Sequence, residues 1–384
     1  MLVHPNFDVN LPNCFTKLIL WYLMKRLFVL IAAMLCSFQA FSQEAEDGNT
    51  FLFIPRVDVN PYIPFNSGGY SGFDLSNTSL YTLFEGGIGN SDFSYSVEGH
   101  WLSSSPSDLY SNTFHSDEVN WLDWANITYA PSNLYFTLGK DILSLGSFEE
   151  DEYDFDQHVN LCSTMWNNLQ VYQWGAKLGW CNDDETTDLS FQISSSPYGE
   201  RPFEAGVSGG RLLSYSLMHR GEYGNFTNLT SVNALGYDAN SYVGVFATGN
   251  KYSFGDVELG LDLAFRGYDF EMLEKSAVAW LGWTPSDNLS VTFKGGIEAL
   301  DGLEDVFGWV PNITDGETPD DYYVPASLAL ATLDGNYCFG GVNVTYNPLE
   351  NLRLHTSIAA NNWAKSVSVN FGVTYFFDVR SLFR

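Results

Sequence analysis

Lys365-Ser-Val-Ser-Val-Asn-Phe-Gly-Val-Thr-Tyr-Phe-Phe377 divides cleanly into two faces. Val367, Val369, Phe371, Val373, Tyr375 and Phe377 fall on one side of an extended strand. Ser366, Ser368, Asn370, Gly372 and Thr374 fall on the other, with Phe376 the one apolar intruder. A period of two marks a strand, because successive side chains point to opposite faces. One nearly continuous apolar face backed by small and polar residues suits a wall between lipid and water. A sandwich strand would alternate in the same way, so the rest of the chain must decide between them.

Other segments repeat the pattern and add charge to it. Val257-Glu-Leu-Gly-Leu-Asp-Leu-Ala-Phe-Arg266 places an apolar stripe opposite Glu258, Asp262 and Arg266. Leu289–Glu298 leaves Lys294 and Glu298 on its polar side, and Tyr172–Trp180 leaves Lys177 there. Charges set regularly behind an apolar stripe are costly in a dry core and cheap in a wet lumen. The expected fold class is therefore all-β: a closed antiparallel transmembrane β-barrel.

Turn chemistry supplies a second regularity. Tyr129-Ala-Pro-Ser-Asn-Leu134, Trp283-Thr-Pro-Ser-Asp-Asn-Leu289 and Tyr346-Asn-Pro-Leu-Glu-Asn-Leu352 share one plan. An aromatic ends a strand, Pro sets the turn, Asn or Asp assists it, and Leu opens the next strand. These read as short turns at one rim. The connections at the other rim are longer, at about 61–77, 103–118, 141–167, 197–209 and 299–335. Strands are expected at 51–60, 78–86, 92–102, 119–130, 133–140, 168–180, 188–196 and 210–220. They continue at 224–234, 240–249, 255–267, 274–284, 288–298, 336–347, 351–360 and 365–377. That makes about 16 strands, with 14 or 18 as alternatives, since Asp123 and Thr227-Asn228 break the alternation and 327–333 could add a strand.

Met24-Lys25-Arg26 before Leu27–Leu35, then Ala40-Phe-Ser42, has the basic head, short apolar run and small-x-small site of a signal peptide. Residues 24–42 are expected to be removed before Gln43, residues 1–23 to be an upstream extension from a misassigned start codon, and 43–384 to form one barrel domain. Beyond residue 42 the chain holds 14 basic and 45 acidic groups, which excludes nucleic acid as a partner. Cys162, Cys181 and Cys338 are too widely spaced for a metal site and odd in number, and read as small apolar fillers.

Two resemblances follow from these residues. Asn370-x-Gly372-x-x-Tyr375-x-Phe377 resembles the signal on the last strand of outer-membrane β-barrels, which their assembly machinery reads. Leu138-Gly-Lys-Asp141 through Tyr153-Asp-Phe-Asp156 to Tyr172-Gln-Trp-Gly175 resembles porins of Bacteroidetes, distant relatives of the phosphate-selective porin O and porin P family. The resemblance implies a sixteen-stranded, usually trimeric channel in the outer membrane, in contact with lipid and lipopolysaccharide. The family's Arg- and Lys-rich anion site does not carry over, because basic residues are few and scattered here.

Glu149, Glu150, Asp151, Glu152, Asp154 and Asp156 lie in the long connection after Lys140. Folded inward, they would narrow a pore and favour cations; left outside, they are a solvated surface loop, with Mg²⁺ or Ca²⁺ as candidate ligands. Candidate lumen residues are Glu98, Lys177, Glu258, Asp262, Arg266, Lys294, Glu298 and Arg353. Their structural role would be ion pairing within the wall. Gly139-Lys140-Asp141 has no phosphate-cradling loop, and the histidines are dispersed, so no enzyme motif emerges and no cofactor is implied. The expected function is a passive outer-membrane porin for small hydrophilic solutes, with cation preference. The alternative is a closed barrel acting as a surface adhesin or scaffold through its acidic loops; bulky apolar side chains inside would favour that alternative.

Overall fold

The structure, a computed structural model, describes residues 49–64, 72–74, 78–103, 122–152, 157–158, 161–167, 169, 171–197, 212–238, 241–301, 334–362 and 366–382. The chain divides at Asn49/Thr50, and the unit described is Thr50–Arg384. The expected extension and signal peptide lie outside the described residues.

This unit is a closed antiparallel barrel. Its strands are β1 (Thr50–Pro64), β2 (Gly72–Asp74), β3 (Ser79–Gly87), β4 (Phe93–Ser103), β5 (Leu122–Tyr129) and β6 (Leu134–Ile142). There follow β7 (Tyr172–Cys181), β8 (Thr187–Ser195), β9 (Leu213–Tyr223), β10 (Phe226–Asp238), β11 (Ser241–Phe254) and β12 (Val257–Tyr268). The last are β13 (Glu274–Ser286), β14 (Leu289–Asp301), β15 (Asp334–Leu349), β16 (Leu352–Asn361), β17 (Ser366–Tyr375) and β18 (Phe377–Asp378). β2 and β18 are short pieces beside the seam, which leaves sixteen staves, and all sixteen expected spans are found with shifts at their ends.

Closure is made by the first and last staves. β1 pairs with β17 from Arg56↔Thr374 to Pro64↔Ser366, and with β18 at Leu52↔Asp378 and Phe53↔Phe377. The outer face of the barrel is exposed and mostly apolar: Val57, Leu138, Leu178, Leu217, Phe293, Ile297 and Phe371 are among its side chains. Their neighbours one residue along are polar and buried, among them Asp58, Thr137, Ser216, Lys294, Glu298 and Asn370. The core therefore lies inside the barrel, and it is largely polar.

Two turns follow the local chemistry closely. Gly224 and Gly255 adopt φ of 66° and 57° in the two-residue connections Gly224-Asn225 and Gly255-Asp256, a conformation that costs glycine little. Of the three Pro-containing motifs, Pro131 stands in the turn between β5 and β6 as expected, and the other two differ. Pro285 and Pro348 stand within β13 and β15, at register shifts between Trp283/Ser286 and Tyr346/Leu349, and the turns come after them. A bulge suits proline, which has no N–H to give to the ladder. Asp123, the break in the expected fourth strand, sits at another register shift, between Glu98↔Trp124 and Gly99↔Leu122.

The three cysteines are all free. Only Cys162 is buried as a filler; Cys181 is half-buried and Cys338 is exposed, paired with outward Ile297. The expectation of three core fillers fails for the latter two: Cys338 lies on the outward face, and Cys181 ends β7 at the rim, where packing is incomplete.

Candidate functional site

The connection from β6 to β7 turns into the barrel. It leaves the ladder at Leu143, whose N–H still donates to Val171 O at 2.8 Å, and then runs down the inner face of β8–β15. A segment without a ladder must satisfy its backbone elsewhere, and inward polar side chains do this. Ser144 N donates to Gln192 Oε1 (2.8 Å), Asn233 Nδ2 donates to Ser144 O (2.7 Å), and Gly146 N donates to Ser231 Oγ (2.9 Å). A side chain at Gly146 would collide with backbone atoms of Ser231 and Ala247, so only glycine permits this approach.

Two short helices in the segment are each capped by a carboxylate of the wall. In α1 (Phe148–Asp151), Asp262 accepts from Ser147 Oγ (2.8 Å), Phe148 N (3.2 Å) and Glu149 N (2.9 Å). In α2 (Thr164–Asn167), Glu298 accepts from Thr164 N (2.7 Å), Thr164 Oγ1 (2.7 Å) and Met165 N (3.2 Å). These are charge-assisted bonds to the N–H groups that a helix leaves open.

Glu149 closes the link between the two helices. Its carboxylate lies 2.8 Å from Lys294 Nζ and accepts from Ser163 N at 2.9 Å. Glu150 is also buried, and its carboxyl is pushed up to about 8, first by burial and then by the charges of Glu149 and Asp151. Burial likewise pushes the Cys162 thiol up to about 12. Asp151 and Glu152 are exposed and pair with Arg220 (2.9 Å) and Lys251 (2.6 Å). Lys251 also lies 3.6 Å from Glu258 and 4.8 Å above the Phe148 ring. Farther along, Asn343 Nδ2 donates to Gln157 O at 2.6 Å. Asp154 and Asp156 lie outside the described residues.

Apolar packing holds the segment as well. Phe148 meets Leu229 and Trp280, Leu161 meets Val278 and Phe339, and Leu143, Leu145, Met165 and Trp166 meet Leu235, Val243 and Val245. Some inward glycines act as seats for these groups: Trp280 lies over Gly260, and Phe148 over Gly249. Glycine on the lumen face is therefore not free space in this half of the barrel.

The other half is different. On β4–β7 the inward side chains include Glu98, His100, Asp123, Asn126, Asp141 and Lys177, all half-buried. Lys177 Nζ pairs with Asp141 at 2.7 Å, and Asn126 donates to Asp141 at 3.2 Å. At the seam, Asp58 is wholly buried between Arg56 (2.7 Å), His355 (2.8 Å) and Asn370 (3.1 Å). A side chain at Gly372 would run into Asp58 and His355. Arg353 stands 5.1 Å over Phe376, and Arg266 pairs with Glu274 at 2.5 Å. Tyr375 and Phe377 stack on the outer side with centroids 6.4 Å apart.

The sequence-derived residues thus separate into groups. Asp262, Lys294, Glu298 and Glu149 meet around the inserted segment, joined there by Glu258 through Lys251. Glu98 and Lys177 face it from the opposite wall, Arg353 lies near the seam, and Arg266 pairs within its own wall. Arg220, Lys251, Asp58 and His355 were not singled out from the sequence. Arg56 and Asp58 alternate with Val57 and Val59, a signal of the kind used elsewhere. A recess of about 280 Å³ at the short-turn rim is lined by Glu152, Asp256, Glu258, Thr284 and Thr292, among others. Among the described residues no cluster of His, Cys, Asp and Glu is set to hold a metal ion.

By sequence, no family model and no curated protein matches the chain. By structure, it is similar to the outer membrane channel DcaP of Acinetobacter baumannii, at 13% identity and a TM-score of 0.54, covering 87% of this chain and 99% of that one. It is similar also to a mutant porin of Rh. blastica (10%, TM-score 0.52, 86% and 100%) and to an OmpT loop-deletion mutant, an outer membrane protein of Vibrio cholerae (10%, TM-score 0.51, 86% and 100%). At such identities the likeness is one of fold.

Proposed function

We propose that the chain is an outer-membrane porin through which small hydrophilic solutes diffuse passively, with a preference for cations. One observation carries this: the inserted segment packs against β8–β15, and it faces a wall on β4–β7 on which Glu98, His100, Asp123, Asn126, Asp141 and Lys177 are only half-buried. A water-filled passage between the two is what such side chains require. The apolar outer band and the likeness in fold to a porin and an outer membrane channel support the same reading. Glu152, Asp256 and Glu258 at the short-turn rim, with Asp151 beside them, make cations the favoured ions. In this reading residues 24–42 direct export, the assembly machinery reads Asn370, Gly372, Tyr375 and Phe377, and the outer face meets lipid and lipopolysaccharide.

The test is conductance of the purified, folded protein in a planar bilayer, with reversal potentials in a salt gradient. Stepwise conductance with a cation-signed potential is expected; no conductance removes the channel, and an anion-signed potential removes the preference. A second reading, a closed barrel acting as scaffold or adhesin, is favoured by the three apolar clusters inside the wall. It predicts a folded barrel in the membrane that carries no current.

A further inference from the structure

A recess of about 280 Å³ opens in the inner face of β11–β14 at the short-turn rim. One row of paired residues crosses it: Ser253 with Glu258, Glu258 with Gly282, and Gly282 with Thr292. These positions face inward, in step with buried Trp280 and Lys294 two residues away on β13 and β14. A second row, Thr284 and Ser290, lines the recess nearer the turns, where Thr284 N donates to Asp256 O at 2.8 Å. Gly282 makes the hollow. Rings fill the space over Gly249 and Gly260, whereas a side chain at Gly282 would meet only Cβ of Glu258, at 3.6 Å.

Resting on the porin reading above, we propose that this recess binds a small hydroxylated solute carrying a protonated amine. Its unmet groups set the chemistry of the ligand. Among the described residues the hydroxyls of Ser253, Thr284, Ser290 and Thr292 have no hydrogen-bond partner. Glu152 is taken by Lys251 at 2.6 Å, and Glu258 accepts from Trp280 Nε1 at 3.1 Å with Lys251 3.6 Å away. Asp256 has no counter-charge among the described residues. Glu152, Asp256 and Glu258 thus share the single ammonium of Lys251, and the recess keeps an excess of negative charge.

The occupant follows from these groups. A neutral sugar would meet the hydroxyls and leave the charge excess unanswered, and a carboxylate solute would add to it. A bare metal ion would need ligands closing around it, and among the described residues no cluster is set to do so. A primary ammonium brings three N–H donors, enough for Asp256, Glu258 and one hydroxyl, and bonds from a charged donor to a carboxylate are the strong kind. The remaining hydroxyls then hold the polar body of the solute. At about 280 Å³ the recess stands at the lower end of small-ligand sites, which suits a molecule of monosaccharide size. Binding is weak by necessity, since a solute that passes must leave as well as enter. Glu152 belongs to the inserted segment, so the recess is complete only while that segment is seated.

The experiment records single channels of the full chain in a planar bilayer at pH 6, with glucosamine, glucose or gluconate added. The three probes differ little in size and carry positive, no and negative charge. Glucosamine is expected to interrupt the current at an about tenfold lower concentration than glucose, and gluconate not at all. Gly282→Leu fills the recess and Asp256→Asn removes its unpaired charge. Each is expected to raise the half-blocking concentration of glucosamine about fivefold or more. If Gly282→Leu shows no heat-shifted folded band, Asp256→Asn alone decides. A conducting channel that glucose blocks as well as glucosamine does overturns the ammonium, and block unchanged in the folded variants overturns the recess. A folded chain without conductance overturns the porin reading and the recess with it.

Discussion

Glu149 of the inserted segment and Lys294 of β14 form an ion pair of 2.8 Å in which both side chains are fully buried. Removing one partner strands the other charge, which costs far more than deleting both. Lys294→Met is therefore expected to loosen residues 144–166 by about 3–5 kcal/mol. Glu149→Gln/Lys294→Met should recover most of that loss. Hydrogen exchange of the segment in the folded barrel is the measurement, and equal protection in wild type and single variant would refute the expectation.

The two wall carboxylates should matter in a graded way. Asp262→Asn keeps the shape but weakens three bonds to the start of α1, and about 2 kcal/mol of segment stability is expected to go, as for a lost helix cap. Glu298→Gln should do the same for α2. The check is protease cleavage within 144–166 while the heat-shifted band of the barrel is retained.

Acidity acts through Glu150. Its folded-state pKa is raised to about 8 by burial beside Glu149 and Asp151, above the usual carboxylate range. The folded form thus holds a proton that the unfolded form releases, so its contribution is greatest below the ordinary carboxylate pKa and is lost as pH rises from there to about 8. Segment protection should be higher at pH 5 than at pH 9. Glu150→Gln should flatten that difference, and an unchanged slope in this variant would assign it to another group.

Charge at the short-turn rim can be reversed. Asp151→Lys/Glu152→Lys replaces two exposed carboxylates, and the reversal potential of the open pore is expected to move toward anions, its cation-to-anion ratio falling severalfold. A potential that does not move would place the selective narrowing elsewhere.

At the seam, Gly372→Ala puts a methyl where Asp58 and His355 already sit. The expected result is a lower yield of folded barrel, read as loss of the heat-shifted band. Asp58→Asn beside it leaves His355 and Asn370 a hydrogen-bonding partner but takes from buried Arg56 the carboxylate 2.7 Å away, and is expected to lower the yield as well.

Much of this fold was legible because its rules are local. Alternation placed all the staves but two, the spans 119–130 and 224–234, where Asp123 and Thr227-Asn228 break it, and Val367–Phe377 already divided into an apolar and a polar face. The inserted segment was legible only as a choice between inside and outside. Its acidic run reads as pore lining, yet Glu149 and Glu150 are buried, and what buries them, Lys294 and the Asp262 cap, stands more than a hundred residues away in the chain. No local pattern carries that information. Asn228 disturbed the alternation that defined its strand, and the disturbance proves to be an outward polar group rather than a missing strand. Pro285 and Pro348 were placed one step early, because a bulge before a turn and the turn itself share the same residues.

β6 and β7 remain hydrogen-bonded to each other from Leu134↔Trp180 to Ile142↔Tyr172, so the inserted segment enters and leaves through adjacent doorposts. Its backbone could be cut away and the gap bridged by a tight hairpin without moving a single stave. Its electrostatics could not be cut away so simply: Asp262, Lys294 and Glu298 would be left side by side on one wall without the groups that now meet them. A hollowed barrel would keep its walls and have to be rewired inside, and those three positions are where an engineer would start.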